Sequence, residues 1–433
     1  MEKVFKLKEH GTTFQREIIA GLTTFLTMAY ILAVNPAMLG SIGDGMTAEA
    51  VFTATVIASA IGTLVMAFAA NLPIALAPGM GLNAFFTYTV VFYMGYSWRV
   101  ALTAVFLEGI LFIILSLLKV REAIINAIPV NLKKAVAVGI GLFITLIGFA
   151  NAGIVVNDGG TIIGLGNVTS GHPLLALLGF IIIVVLHTLK IPGSILIGVL
   201  LTTVLGIPLG ITVIPERWSP VGTPAQPLLF AFDFSPSMLL SFKFFTVFFT
   251  FLFVDIFDTL GTLVGVTQEA GLLDKDGKIP RVRQALLSDA IGTVAGASLG
   301  TSTVTSYVES AAGVAAGGRT GLTALTTGLL FLVALFLSPL FLLIPSAATA
   351  PALIIVGYFM VKPAATIDFE DPTEGIPAFL TIIMMPFAYS IAEGIVYGVL
   401  SYVLLKLAAF KFREISVVTW ILFVVFLLRF FMR

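Results

Sequence analysis

Ala77-Pro78-Gly79-Met80-Gly81-Leu82-Asn83-Ala84 interrupts an apolar run that extends from about residue 76 to 95. A proline without an N–H and two glycines within one turn loosen a membrane helix, and the backbone groups they free need partners inside the bilayer. A second break reads Gly300-Thr301-Ser302-Thr303-Val304-Thr305-Ser306-Tyr307-Val308-Glu309-Ser310. Its β-branched, hydroxyl-rich start suits an extended segment, and Ser306 is placed to cap a half-helix that begins in mid-membrane. N–H groups exposed at such an end form a donor site for ligand carbonyls or ring nitrogens. The breaks are tied by a repeat: Ala60-Ile61-Gly62-Thr63 recurs as Ala290-Ile291-Gly292-Thr293. That offset of 230 residues sets Pro78-Gly79 against Val308-Glu309.

Working outward, apolar runs between polar breaks predict spans near 17–37, 47–70, 76–95, 99–118, 134–152, 173–190 and 193–213. A second series follows near 243–266, 284–299, 303–317, 320–343, 346–362, 375–390 and 391–410. The last two could be one bent helix, and the run 415–432 is also long enough to cross. Seven spans per half force the two copies into opposite orientation, and inverted repeats with matching interruptions point to a transporter's binding site. Of the 433 residues 58% are hydrophobic and only 11% charged, too few charges to cover a water-facing surface. Lysines and arginines, among them Lys119, Arg121, Lys275 and Lys278, gather in loops on the side of the N-terminus, which orients it to the cytoplasm. The zero net charge gives no electrostatic case for nucleic acid. The absence of cysteine excludes thiolate metal sites and cysteine nucleophiles, and His10, His172 and His187 are too scattered for a histidine cluster.

Asp255 and Asp258 lie deep in the run from Phe251 to Gly261, three residues apart and so on one helical face. With Glu309, three such acids would cost on the order of 8–10 kcal/mol if each faced lipid, so they face a polar cavity. Ser306-Tyr307-Val308-Glu309 also fits a capping box, in which Glu309 would only close a helix start. Glu108, on an uninterrupted span, reads as structural. Asp289, near Arg281 and Arg283, reads as a helix-start charge, and His187 as interfacial.

The opening Phe14-Gln15-Arg16-Glu17-Ile18-Ile19-Ala20-Gly21-Leu22-Thr23-Thr24-Phe25-Leu26-Thr27-Met28-Ala29-Tyr30-Ile31 resembles purine permeases of the AzgA-like branch, relatives of the nucleobase–ascorbate transporters. So do Ala77–Ala84, Val254–Gly261, Gly300–Gly313 and the loop from Asp368 to Pro377. The resemblance implies an all-α polytopic membrane protein of about fourteen segments in two inverted sevens, with short strands and half-helices in segments 3 and 10. Its core domain would comprise 17–118 and 243–343, its gate domain 134–213 and 346–433, after a cytoplasmic N-terminus 1–16. It implies inner-membrane import of adenine, guanine or hypoxanthine by proton symport, with no enzymatic activity and no cofactor. Asn83, Asp255, Asp258 and Glu309 match the family's functional positions. A carboxylate accepts two adjacent N–H donors of a purine edge, which assigns Asp255 and Glu309 to the base, with Gly81 and Ser310 beside them. Phe85, Phe86 or Tyr307 offers a stacking face. Asp258, one turn deeper, is the candidate proton carrier.

Sodium is the alternative coupling ion, and homodimerisation through the gate is an expectation of the family alone. An intramembrane aspartyl protease needs aspartates on different helices, whereas Asp255 and Asp258 share one. An anion exchanger on the same scaffold needs positive charge where this midplane offers acids.

Overall fold

The computed structural model describes residues 2–117, 129–157, 163–273 and 279–431. Lys119, Arg121, Lys275 and Lys278 lie outside the described residues. The first half of the chain runs α1 (Phe14–Met28), α2 (Ile31–Gly40), α3 (Ala48–Val65), β1 (Leu76–Pro78), α4 (Met80–Ala84), α5 (Trp98–Leu117), α6 (Val130–Asn151), α7 (Gly171–Thr188) and α8 (Ser194–Gly206). Two short strands, β2 (Val155–Val156) and β3 (Gly164–Leu165), pair between α6 and α7. The second half runs α9 (Phe242–Glu269), α10 (Val282–Leu299), β4 (Val304–Ser306), α11 (Ser310–Ala315), α12 (Gly321–Ala334), α13 (Ser346–Val361), α14 (Pro372–Phe387), α15 (Ile391–Ala408) and α16 (Val417–Phe431).

Every predicted span is occupied, and both predicted breaks are strand-plus-half-helix. The stretch 375–410 is two helices, parted at Tyr389, whose φ is 51°. α16, with 15 described residues, follows the fourteenth predicted span. It packs on α15, and Phe426 meets Phe249 of α9 edge-on at 5.9 Å.

The helices form two packed groups. In one, α10 lies on α5 and α3, α12 on α1 and α3, and α9 on α5. In the other, α13 packs on α6 and α7, α14 on α6 and α15, and α8 on α7 and α13. Close approach between membrane helices relies on small residues. Gly141 of α6 and Gly357 of α13 face each other, so a methyl on either would strike the other's backbone carbonyl.

β1 and β4 pair antiparallel, Leu76 with Ser306, Ala77 with Thr305 and Pro78 with Val304. The ladder continues symmetrically: Gly79 N–H donates to the Thr303 carbonyl and Tyr307 N–H to the Ala75 carbonyl, each at 3.0 Å. One threonine holds each strand. The Thr63 hydroxyl accepts from Leu76 N–H (2.9 Å) and donates to the Leu76 carbonyl (3.1 Å). Thr293 does the same to Val304, at 3.2 and 2.9 Å. Gly62 and Gly292, beside these threonines, put α3 and α10 in backbone contact; a Cβ on either would meet the other's Cα at 3.3–3.4 Å. A pseudo-two-fold axis therefore runs through the Ala77–Thr305 pair. Between helix and strand the offset shortens from 230 to 228, so Pro78 is equivalent to Ser306 and not to Val308. The loop from Thr293 to Val304 is two residues shorter than its counterpart, and Gly300, at φ 97°, makes its tight entry.

Candidate functional site

A three-residue strand buried in a membrane exposes backbone groups that need partners from other elements, here the opposite strand and two threonine hydroxyls. That requirement brings α4, α9 and α11 to one place, at the crossing of β1 and β4. Asp258, half-buried on α9, receives the Thr305 hydroxyl on Oδ2 at 3.3 Å. The same oxygen lies 3.4 Å from where a Cβ on Gly79 would sit, so the glycine leaves room for it. Glu309, half-buried before α11, accepts the Tyr30 hydroxyl on Oε1 at 2.6 Å, and its carbonyl accepts from Thr27 at 3.4 Å. Tyr30 stands at the break between α1 and α2, which aims its hydroxyl inward. Tyr307 donates to the Pro78 carbonyl at 2.6 Å, and Asn83 Nδ2 reaches the same carbonyl at 3.4 Å. Asn83 Oδ1 is buried with no hydrogen-bond partner among the described residues.

The remaining acids lie behind this crossing. Asp255 is fully buried, and the Thr259 hydroxyl sits 3.1 Å from its Oδ1 and 2.7 Å from Asp289 Oδ1. Asp255 and Asp258 thus diverge, one towards α10 and one towards β4, although three-residue spacing sets them on one side of α9. Asp289 is no helix-start charge: it lies in the second turn of α10 and is fully buried. Glu108 accepts from Thr303 at 2.9 Å, which ties α5 to the approach of β4.

Four further expectations meet a different arrangement. Ser306 caps nothing; it ends β4, its hydroxyl is buried without a partner among the described residues, and α11 starts after Glu309 with no side-chain cap. The Ser310 hydroxyl accepts the Ala75 N–H at 3.0 Å, fastening α11 to β1. Gly81 lets α4 approach α6, since a Cβ there would fall 2.6 Å from Ile140. Phe85 packs edge-on against Phe251 at 4.9 Å, with Phe86 on the same ring at 6.4 Å; both are buried in the core. His187, read as interfacial, is exposed in the last turn of α7 beside Phe359, and nothing in its position speaks against that reading.

Two buried contacts escaped the sequence reading. Tyr30 sits in a run where tyrosine passes for core, and only its reach to a residue 279 positions away marks it. Glu17 looks like a first-turn acid but is fully buried. It accepts from the N–H groups of Arg319, Thr320 and Thr323 and from the Thr323 hydroxyl (2.6 Å), plugging the N-terminus of α12.

The profile of the family described as "Permease family" matches residues 15–397. The chain is 45% identical to the adenine permease AdeP of Escherichia coli, over 99% of this chain and 95% of that one. It is 48% identical to the guanine/hypoxanthine permease PbuG of Bacillus subtilis, over 99% of each. Among solved structures, the transmembrane domain of a cyanobacterial bicarbonate transporter, BicA, aligns with a TM-score of 0.66. That alignment covers 88% of this chain and 97% of the other at 19% identity, a likeness of fold.

Proposed function

We propose, from the premise that this chain belongs to the permease family, that it is a secondary transporter importing purine nucleobases together with a proton. The full-length likeness to adenine and guanine/hypoxanthine permeases supports the substrate class. The observation that carries the reading is geometric: two half-buried acids, Glu309 and Asp258, flank paired strands whose half-helices also meet there. A purine presents ring and exocyclic N–H donors along one edge, and a carboxylate accepts such donors directly. With Oε1 held by Tyr30, Glu309 keeps Oε2 for the base, and the partnerless Asn83 Oδ1 is an acceptor nearby on α4. An anion exchanger would need positive charge where these two acids stand.

Asp258 is assigned the coupling proton, because it borders the strands and lies nearest the buried pair behind them. Asp255 we move from the base to that pair. A hydroxyl has one hydrogen, so Thr259 can donate to Asp255 or to Asp289, and the other contact is a hydrogen bond only if that carboxyl is protonated. In this reading α1–α5 and α9–α12 form the substrate-carrying core, and α6–α8 and α13–α15 the gate.

Radiolabelled adenine, guanine, hypoxanthine and uracil uptake into proteoliposomes, with and without an inward proton gradient, tests the proposal. Gradient-driven uptake of a purine is expected, and Asp258→Asn is expected to abolish accumulation. Uptake driven only by sodium would overturn the coupling ion. No uptake of any base by folded protein would overturn the substrate.

A further inference from the structure

We propose a second ligand site, for a phosphate group, in the cleft between the N-terminal segment and the start of α10. Its volume is about 180 Å³, and Lys6, Glu9, His10, Asn71, Leu272 and Arg281 are among its walls. Three of these six carry or can carry positive charge, and they converge from segments some 270 residues apart. Pockets for drug-sized ligands run to about 300–1,000 Å³, so this one fits a phosphate and part of its ester.

The walls are fixed. Phe5 and Leu7 are buried against Leu322. Asn71 Nδ2 donates to the Phe5 carbonyl at 3.3 Å, and its Oδ1 accepts the Gly321 N–H at 2.8 Å. The segment before α1 is therefore docked on the helices that carry the strand crossing. Lys6 and Arg281 both take left-handed backbone, φ 53° and 51°, which residues with a Cβ adopt where their surroundings impose it.

One acid stands among the cations. Glu9 pairs with Lys6 Nζ at 2.9 Å, and both side chains are exposed. Lys6, by its hydrogen bond first and its charge second, holds the Glu9 carboxyl below the usual range, with His10 and Arg281 adding to the effect. A phosphate would take the place of Glu9 on Lys6, with Arg281 giving a planar two-donor contact and His10 a ring N–H. Lys6, Glu9, His10 and Arg281 are the titratable groups lining the cleft among the described residues. Phe68, 57% exposed and 5.8 Å from the Phe5 ring, adds exposed apolar surface two residues before Ala70 of the cleft wall. The phosphate could then belong to a soluble ester or to an anionic lipid headgroup.

The experiment uses the full chain in detergent. Melting is followed against inorganic phosphate, with chloride as the ionic-strength control, and co-purifying phosphatidylglycerol is quantified by native mass spectrometry. Wild type is compared with Lys6→Gln/Arg281→Gln and with Glu9→Gln. The double variant is expected to bind about tenfold more weakly, and Glu9→Gln several-fold more tightly, because a competing carboxylate is gone. Phosphate-dependent melting identifies a soluble ligand; selective retention of phosphatidylglycerol, lost in the double variant, identifies the headgroup. Equal behaviour of all three proteins towards both probes would overturn the site.

Discussion

Tyr30 and Glu309 are joined by a single hydroxyl at 2.6 Å, and on the proposed function that contact sets which carboxylate oxygen meets the base. A hydrogen bond to a charged group is worth about 1.5–3 kcal/mol, so Tyr30→Phe is expected to weaken base binding about ten- to a hundred-fold. Equilibrium binding of labelled purine measures this, with circular dichroism to confirm the fold. The same assay separates the acids. Glu309→Gln removes the charge and turns one of the two carboxylate oxygens into an N–H donor, so it is expected to lose binding. Asp255→Asn still offers an oxygen and N–H donors to Thr259, and is expected to stay within about threefold of wild type, well under 1.4 kcal/mol. The opposite ranking would return Asp255 to the base. None of this divergence is readable in the spacing of Asp255 and Asp258, because it depends on the rotation of α9 against α10 and β4. Asp289 was misjudged for a related reason: Arg281 and Arg283 are near in sequence, whereas its partner Thr259 arrives from 30 residues away.

At the level of elements, span positions were legible because each helix needs a long apolar run, and the breaks at 77–84 and 300–310 were legible because proline, glycine and hydroxyl clusters interrupt such runs. The true equivalence of the halves was not, since two latching threonines and a strand register define it. Thr63→Val and Thr293→Val each leave one strand N–H and one carbonyl of a buried residue unserved, at about 1–3 kcal/mol per group. The two variants are expected to lower the melting temperature by similar amounts; a large disparity would count against the pseudo-symmetry. Asp371 shows how a cap adds pH dependence. Its carboxyl accepts from Lys411 Nζ (2.7 Å) and from the N–H and hydroxyl of Thr373 (2.8 Å each) at the start of α14. The Lys411 hydrogen bond, first among these, holds it well below the usual carboxylate range. A depressed folded-state value adds stability that is present above pH about 4 and lost as pH falls further. Acid titration of Asp371→Asn is thus expected to show a flatter fall in stability below pH 4 than wild type.

For the molecule as a whole, the proposed function has the strand-bearing group move against its neighbour, and α4 on α6 is one seam between them. A Cβ on Gly81 would meet Ile140 across it, so a short bis-methanethiosulfonate linking Gly81→Cys to Ile140→Cys through two disulfides should stop uptake, and reduction of those disulfides should restore it. The chain has no native cysteine to complicate the experiment. Persistent transport with the link in place would mean that this seam does not open. The paired strands carry a separate consequence for biosynthesis. β1 has no partner strand until β4 exists, 228 residues later in the chain. At about 5–20 residues per second, a ribosome needs about ten to forty-five seconds to supply it. Through that interval the nascent first half holds an unpaired strand within a hydrophobic medium, so a chain halted before β4 is prey for quality-control proteolysis.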